Sequence, residues 1–239
     1  MATNTNEEEQ VLTLLCGDAD PWTWGDANQC SLSFERNGTG AILCGENQRV
    51  WIAVEFNWSF NNQARPVMAN SDTWKFTIQM TLTTRLNPIY HTRNPWLTGE
   101  ALQDHLRNPP PPSKAPFPWA PLHSAAFRPK QYTLMLSRGR FIEPFHCFVK
   151  QPFPIFQPYR YAPNRYACRL AFDDSSPYPP REEWVETSGL KLSLDYHHFW
   201  ERREFVREAI AKKDETWAET LDLGWWLSPT SGDGHIRNK

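Results

Sequence analysis

Hydrogen-bonding side chains inside predicted β-strands are the residues of this chain whose types could do chemistry. His146, Arg169 and Gln79 each lie within a run of strand-forming residues. Donors aimed at a carbonyl oxygen stabilise the negative charge that gathers on it as a bond forms or moves, so these are the candidate catalytic residues. Each of them faces either solvent or an interior cavity. Because solvated strand faces are normally polar, both alternatives stay open.

Two long strands are predicted to position these groups, because apolar residues fall on every second position of residues 50–60 and Thr73–Leu82. In each strand the bulky apolar side chains share one face. So much aromatic bulk on one side predicts a sheet wrapped around either a packed core or a cavity for one small molecule. The candidate substrate-binding walls are Phe56, Trp58, Trp74, Phe76, Ile78 and Met80.

The remaining segments predict a mainly β fold, an antiparallel barrel built from hairpins. Asn37-Gly38 is a strong hairpin signal between strand candidates at 30–35 and 39–44. Further strand candidates lie at 11–16, 131–137, 140–149 and 165–173. Phe199, Val206 and Ile210 predict a C-terminal helix over 199–212 that packs against the sheet.

A Pro-rich stretch over 87–129 interrupts the strands and predicts a long loop, or a lid over one barrel mouth. Within it, Thr98 as an N-cap and the spacing of Leu102 and Leu106 predict a short helix over Gly99–Arg107. The chain length predicts a single domain over 1–239, with a flexible tail over 231–239.

Composition limits the possible partners. The net charge of −2 argues against a protein that binds nucleic acid by neutralising phosphates, so no nucleic acid is expected. No stretch is long and apolar enough to span a membrane, and Glu7, Glu8 and Glu9 stand where a secretory signal would need basic residues. We therefore expect a cytoplasmic protein. The aromatic faces of the predicted strands indicate a small apolar molecule as its partner, and the oligomeric state is left open.

Several common site motifs are missing from the sequence. The cysteines include no C-x-x-C pair, so we expect them to be reduced and mostly buried. No phosphate-binding pattern follows Gly38-Thr39-Gly40, and the adjacent His197 and His198 lack the spacing of paired metal ligands. We expect no metal and no cofactor. The five cysteines are Cys16, Cys30, Cys44, Cys147 and Cys168.

Three segments carry a resemblance to a known group of proteins. They are Leu32-Ser33-Phe34-Glu35 with Gly38-Thr39-Gly40, the strand end Phe56-Asn57-Trp58, and the run from Leu170 into Ser176-Pro177-Tyr178-Pro179-Pro180-Arg181-Glu182-Glu183-Trp184. These segments resemble a group of uncharacterised fungal proteins. The layout of strands and turns is similar to calycin-type barrels, which include lipocalins and fungal cyclases that close apolar polyenes by Diels–Alder-type reactions without a cofactor.

The resemblance implies a lipocalin-like barrel that acts as a cofactor-independent cyclase or isomerase, a Diels–Alderase-like pericyclase of fungal secondary metabolism. Such an enzyme needs few dedicated catalytic side chains, because holding a flexible substrate in a near-reactive conformation removes an entropic barrier. Two alternatives stay open. One is a non-catalytic carrier that uses the same cavity, and the other is a protein-interaction module that uses the prolines at 109–112.

Overall fold

The computed structural model describes residues 4–17, 20–25, 30–46, 49–61, 66–85, 87, 99–111, 122–144, 163–185 and 198–220. The strands are β1 (Trp22–Thr23), β2 (Cys30–Phe34), β3 (Thr39–Glu46), β4 (Arg49–Phe60), β5 (Val67–Asn70), β6 (Thr73–Leu82), β7 (Lys130–Ile142), β8 (Arg165–Phe172) and β9 (Glu204–Ala209). The helices are α1 (Asn4–Cys16), α2 (Gly99–Arg107) and α3 (Trp217–Thr220), with 3-10 turns at Ser124–Phe127, Arg181–Glu183, Phe199–Glu201 and Lys212–Asp214.

The nine strands form one antiparallel sheet that closes in a ring. The order is β4-β3-β2-β1-β9-β8-β7-β6, and the pairing of β4 with β6 completes the circle. β5 adds to the end of β6 outside the ring. The strands are uneven, from 2 residues in β1 to 13 in β7. The predicted antiparallel β architecture is therefore confirmed at this level.

The alternation of side chains along the strands gives the ring an apolar interior. Residues of β6 are buried at every second position, and Trp74, Phe76 and Ile78 belong to this buried set. Residues paired directly across neighbouring strands share a face, so each buried residue of β6 meets a buried residue of β4 or β7. The core of the molecule is thus the inside of the ring.

The predicted C-terminal helix over 199–212 is wrong. A 3-10 turn covers Phe199–Glu201, and β9 follows, between β1 and β8. Without β9, the edges of both neighbouring strands would leave backbone N–H and C=O groups unpaired. Pairing there closes the ring and buries Phe205 and Val206 completely, which outweighs the local helical spacing.

The strand predicted at 11–16 is also wrong, because these residues form the second half of α1. Val11 and Leu15 lie four residues apart, on one side of the helix, and both are fully buried. The helix ends at Gly17, whose φ is +34° and whose N–H donates to the carbonyl of Thr13. Among the helices of the described ranges, none is long and apolar enough to cross a membrane.

The Pro-rich segment is described in part. Its helix over Gly99–Arg107 is confirmed as α2. The Thr84 hydroxyl donates to the carbonyl of Pro110, and Pro109 and Pro110 are half-buried, so this end of the segment packs against the protein. Residues 88–98 and 112–121 lie outside the described residues, as does the predicted tail over 231–239.

The cysteine prediction is wrong for one pair. Cys30 and Cys44 form a disulfide, because they are direct register partners on β2 and β3 and both face the interior. Cys16 and Cys168 are free, and Cys147 lies outside the described residues. The spacing of the two cysteines along the chain could not show this pairing, which depends on the hairpin register.

Candidate functional site

All six predicted wall residues lie on the interior face of the ring. Each is at most 7% exposed. The pairing of β4 with β6 places Trp58 opposite Met80, and Phe56 opposite Leu82. The fold therefore places the predicted wall residues of β4 and β6 on one continuous apolar surface.

An edge-to-face series of aromatic rings crosses this surface. Phe34 lies 5.3 Å from Phe56 and 5.4 Å from Trp58, Trp58 lies 5.6 Å from Phe60, and Phe60 lies 5.7 Å from Phe76, all between ring centroids. Such arrangements stabilise aromatic pairs beyond the area that they bury. The wall thus consists of large flat side chains that pack against one another and present apolar area.

The indole nitrogens of this wall differ in their partners. Trp58 Nε1 donates to the carbonyls of Glu35 and Thr39, at 3.2 and 3.0 Å. Trp74 Nε1 is enclosed and has no hydrogen-bond acceptor among the described residues. An indole N–H can only donate, so Trp74 holds a donor without an acceptor inside an apolar wall.

Two of the three predicted donors, Gln79 and Arg169, do not join the walls. Gln79 lies on the opposite face of β6 and is exposed. Arg169 lies on the outer side of β8, where its guanidinium sits 4.6 Å from the centroid of the Phe141 ring and 4.0 Å from the Glu204 carboxylate. His146 lies outside the described residues. Gln79 and Arg169 therefore face away from the surface that the six wall residues line.

Helix α1 covers one mouth of the ring. It contacts β2 and β7, which stand on opposite sides of the ring, so the helix lies across the opening between them. Val11 and Leu15 are its fully buried residues. At the exposed edge, Arg36 next to β2 bonds the carboxylate of Glu9 at 2.7 Å.

Arg207 fastens the C-terminal end of α1 from inside the ring. It pairs with Cys168 across β8 and β9, and it is only 4% exposed. Its guanidinium donates to the carbonyls of Leu14 and Leu15 and lies 4.3 Å from the centroid of the Trp22 ring. A cation at this position complements the last carbonyls of a helix, which lack partners within the helix.

A second aromatic cluster lies around Phe199. Phe199 contacts Trp184 at 5.1 Å, Tyr178 at 5.8 Å and Trp51 at 5.5 Å between ring centroids, and Tyr178 also contacts Phe205 of β9 at 6.1 Å. Residues 176–184 supply Tyr178 and Trp184. Tyr178 donates to the carbonyl of Leu43, and its burial raises the pKa of its phenol.

Burial also governs the two free thiols. It raises the pKa of Cys16 to about 11 and that of Cys168 to about 11. At neutral pH both are thiols, and the thiolate is the nucleophilic form of cysteine. Neither residue is therefore suited to nucleophilic catalysis.

Two further features lie away from the interior. A polar pocket of about 240 Å³ is bordered by strands β6 and β7, and its hydroxyl, amide and carboxylate lining is unsuited to an apolar molecule. Near α3, Arg140 bonds the Glu219 carboxylate and lowers the pKa of that carboxyl to about 2. The pocket is lined by Thr77, Gln131, Tyr132, Thr133, Asp174 and Ser175.

Sequence reasoning missed α1 as a cover, Arg207 as its anchor and Trp74 as an unpaired donor. The four-residue spacing of Val11 and Leu15 before Gly17 was the available signal for the helix. Within the described ranges, no group of three or more His, Cys, Asp or Glu residues could hold a metal ion. No family model, curated protein or solved structure matches the chain.

Proposed function

We propose that this protein binds a small, largely apolar molecule inside the ring and acts on it as a cofactor-independent cyclase or isomerase, within a lipocalin-like barrel. The observation that supports it is the convergence of six predicted wall residues on one enclosed, aromatic-rich interior surface. The resemblance to fungal proteins suggests secondary metabolism as its setting.

The chemistry proposed is conformational. A flexible polyene loses its internal rotations when it is held against rigid rings such as Trp58 and Phe76, and a bound conformation with its reacting atoms in contact has already met the entropic cost of cyclisation. The step forms carbon–carbon bonds at the expense of π bonds in the same molecule, so product and substrate have equal mass. No redox partner or leaving group is required.

Entry to the interior requires a covering element to move. Helix α1 is the natural candidate, because a buried cation, Arg207, anchors its C-terminal end, whereas its contact through Glu9 and Arg36 is exposed. Exposed ion pairs contribute about 0–1 kcal/mol, so breaking this contact costs little, and the main cost of moving the helix is the exposure of Val11 and Leu15.

The testing experiment is a titration of tryptophan fluorescence with apolar polyketide and terpenoid metabolites, followed by chromatography and mass spectrometry of each ligand after incubation. Saturable quenching with a product of equal mass and altered retention supports the cyclase. Quenching with unchanged ligand supports the carrier. If no member of a broad panel binds, the proposal fails.

Two variants of β6 make this experiment specific to the interior. Met80→Ala removes a wall side chain, and we expect it to weaken binding several-fold because apolar contact area is lost. Lys75→Ala changes the outer face of the same strand, where Lys75 pairs with Asp173, and we expect affinity to stay unchanged. Equal effects of the two variants would place the ligand elsewhere.

A further inference from the structure

Trp74 differs from three other buried indoles of this protein in the partner of its N–H. Those three donate their N–H to backbone carbonyls: Trp22 to Leu15, Trp58 to Glu35 and Thr39, and Trp184 to Pro179. Trp74 is 5% exposed, and its Nε1 has no acceptor in the described part of the chain. A buried donor without a partner carries the full penalty of its desolvation, so an acceptor brought by another molecule would be stabilising.

The neighbours of Trp74 limit what that acceptor can be. Register pairing places Leu136 of β7 on one side of it and Met68 of β5, which is exposed, on the other; Leu170 lies opposite Leu136, and Phe205 opposite Leu170, on the interior face. A water molecule needs two to four polar partners, which this apolar row does not offer. A carboxylate would be costly here because an unpaired charge is disfavoured among apolar side chains.

We propose that the ligand of the interior carries a neutral hydrogen-bond acceptor, a carbonyl oxygen on an otherwise apolar skeleton, and that Trp74 Nε1 donates to it. This inference rests on the proposed function. It assigns Trp74 two roles, since the indole ring is part of the wall and its N–H orients the carbonyl. In the proposed cyclisation the same bond withdraws electron density from any double bond conjugated to that carbonyl.

The test compares two matched probes, 6-propionyl-2-(dimethylamino)naphthalene and the analogue in which the carbonyl is a methylene group. We expect the wild-type protein to bind the ketone about tenfold more tightly than the methylene analogue, in keeping with one buried hydrogen bond. Trp74→Phe keeps an aromatic ring and removes the N–H. In this variant we expect the two affinities to agree within about twofold, with the methylene analogue bound as in the wild type.

Trp184→Phe is the matched control, because it makes the same chemical change at an indole whose N–H already bonds Pro179. It should retain the preference for the ketone. Circular dichroism reports whether each variant is folded. A measurement on the wild-type protein alone guards against a misfolded variant: the Trp74 indole proton should move downfield in NMR spectra with the ketone and not with the methylene analogue.

The outcomes separate the two proposals. If both probes bind equally to the wild type, or if Trp74→Phe keeps the preference, the carbonyl inference is overturned while the interior binding site stands. If neither probe binds and no metabolite of the panel binds either, the proposed function has failed, and the inference fails with it.

Discussion

Arg207 connects two parts of the chain that are far apart in sequence, and its loss should be costly. Arg207→Met removes the charged donor to the carbonyls of Leu14 and Leu15, and Trp22 then remains as a donor to Leu15 alone. We expect the free energy of unfolding to fall by about 2–3 kcal/mol, measured by urea denaturation. Arg36→Met, which removes the exposed ion pair with Glu9, should cost less than about 1 kcal/mol. Equal losses would contradict the anchoring role.

Gly40 is required by the position of an aromatic ring. A Cβ atom at this residue would lie 2.2 Å from Cζ of Phe56 and 2.3 Å from the carbonyl oxygen of Ser33. Gly40→Ala should therefore displace the Phe56 ring and destabilise the fold by about 1–3 kcal/mol, as overpacking does. Thermal unfolding measures the loss. Adding Phe56→Leu should recover part of the lost stability, because the smaller side chain leaves room for the new methyl group. If the double variant loses as much stability as the two single variants added together, the contact between residues 40 and 56 is not the cause.

Glu219 gives a prediction about acid stability. Its hydrogen bond with Arg140 holds the pKa of the carboxyl at about 2, below its usual value of 4.5. A lowered pKa contributes stability that is complete above pH 4.5 and is lost as the pH falls towards 2. The difference in unfolding free energy between wild type and Glu219→Gln should thus shrink from pH 5 to pH 2. Glu204→Gln controls for net charge, and a difference that stays constant over this range would refute the assignment.

Among the elements, the β2–β3 hairpin is held by a covalent link. The disulfide between Cys30 and Cys44 spans a sequence separation of 14. By the loop-closure model, losing a link of this span costs about 3 kcal/mol. We expect denaturation midpoints of the wild type to fall on adding a reductant. The Cys30→Ala, Cys44→Ala double variant should show the lower stability with and without the reductant; a wild type indifferent to reductant would contradict the prediction.

The elements also show what local sequence could predict. β6 was predicted with its observed bounds because its alternation persists over ten residues. β9 was not, since Arg207 stands at an interior position of a six-residue strand and breaks the apolar pattern. The segment at 11–16 is apolar enough to form either a strand or a helix. Its packing across the ring favours the helix. The alternation of β6 already set Gln79 apart from Trp74 and Ile78, whereas the partner of an indole N–H depends on the whole fold.

At the scale of the molecule, the ring has one weak seam. Strand β1 has two residues, and it pairs with β9 at one position, Thr23 opposite Val206. By contrast, β3 and β4 pair over eight positions. Local opening follows the number of bonds and contacts that must break. In hydrogen exchange monitored by mass spectrometry, we expect amides at the seam to be protected at least about tenfold less than those of β3 and β4. Uniform protection around the ring would be inconsistent with this expectation.

The ring closes late during synthesis, because β9 is the last strand in the chain. The strands from β1 to β8 leave the ribosome before β9 does, and without β9 they can form only an open sheet whose edges are β1 and β8. Open edges are templates for pairing with other chains. Until Ala209 has emerged, the nascent protein therefore exposes two unpaired strand edges that can aggregate with other chains. A chaperone, or a pause in translation, would have its greatest effect on the yield of folded protein during this interval.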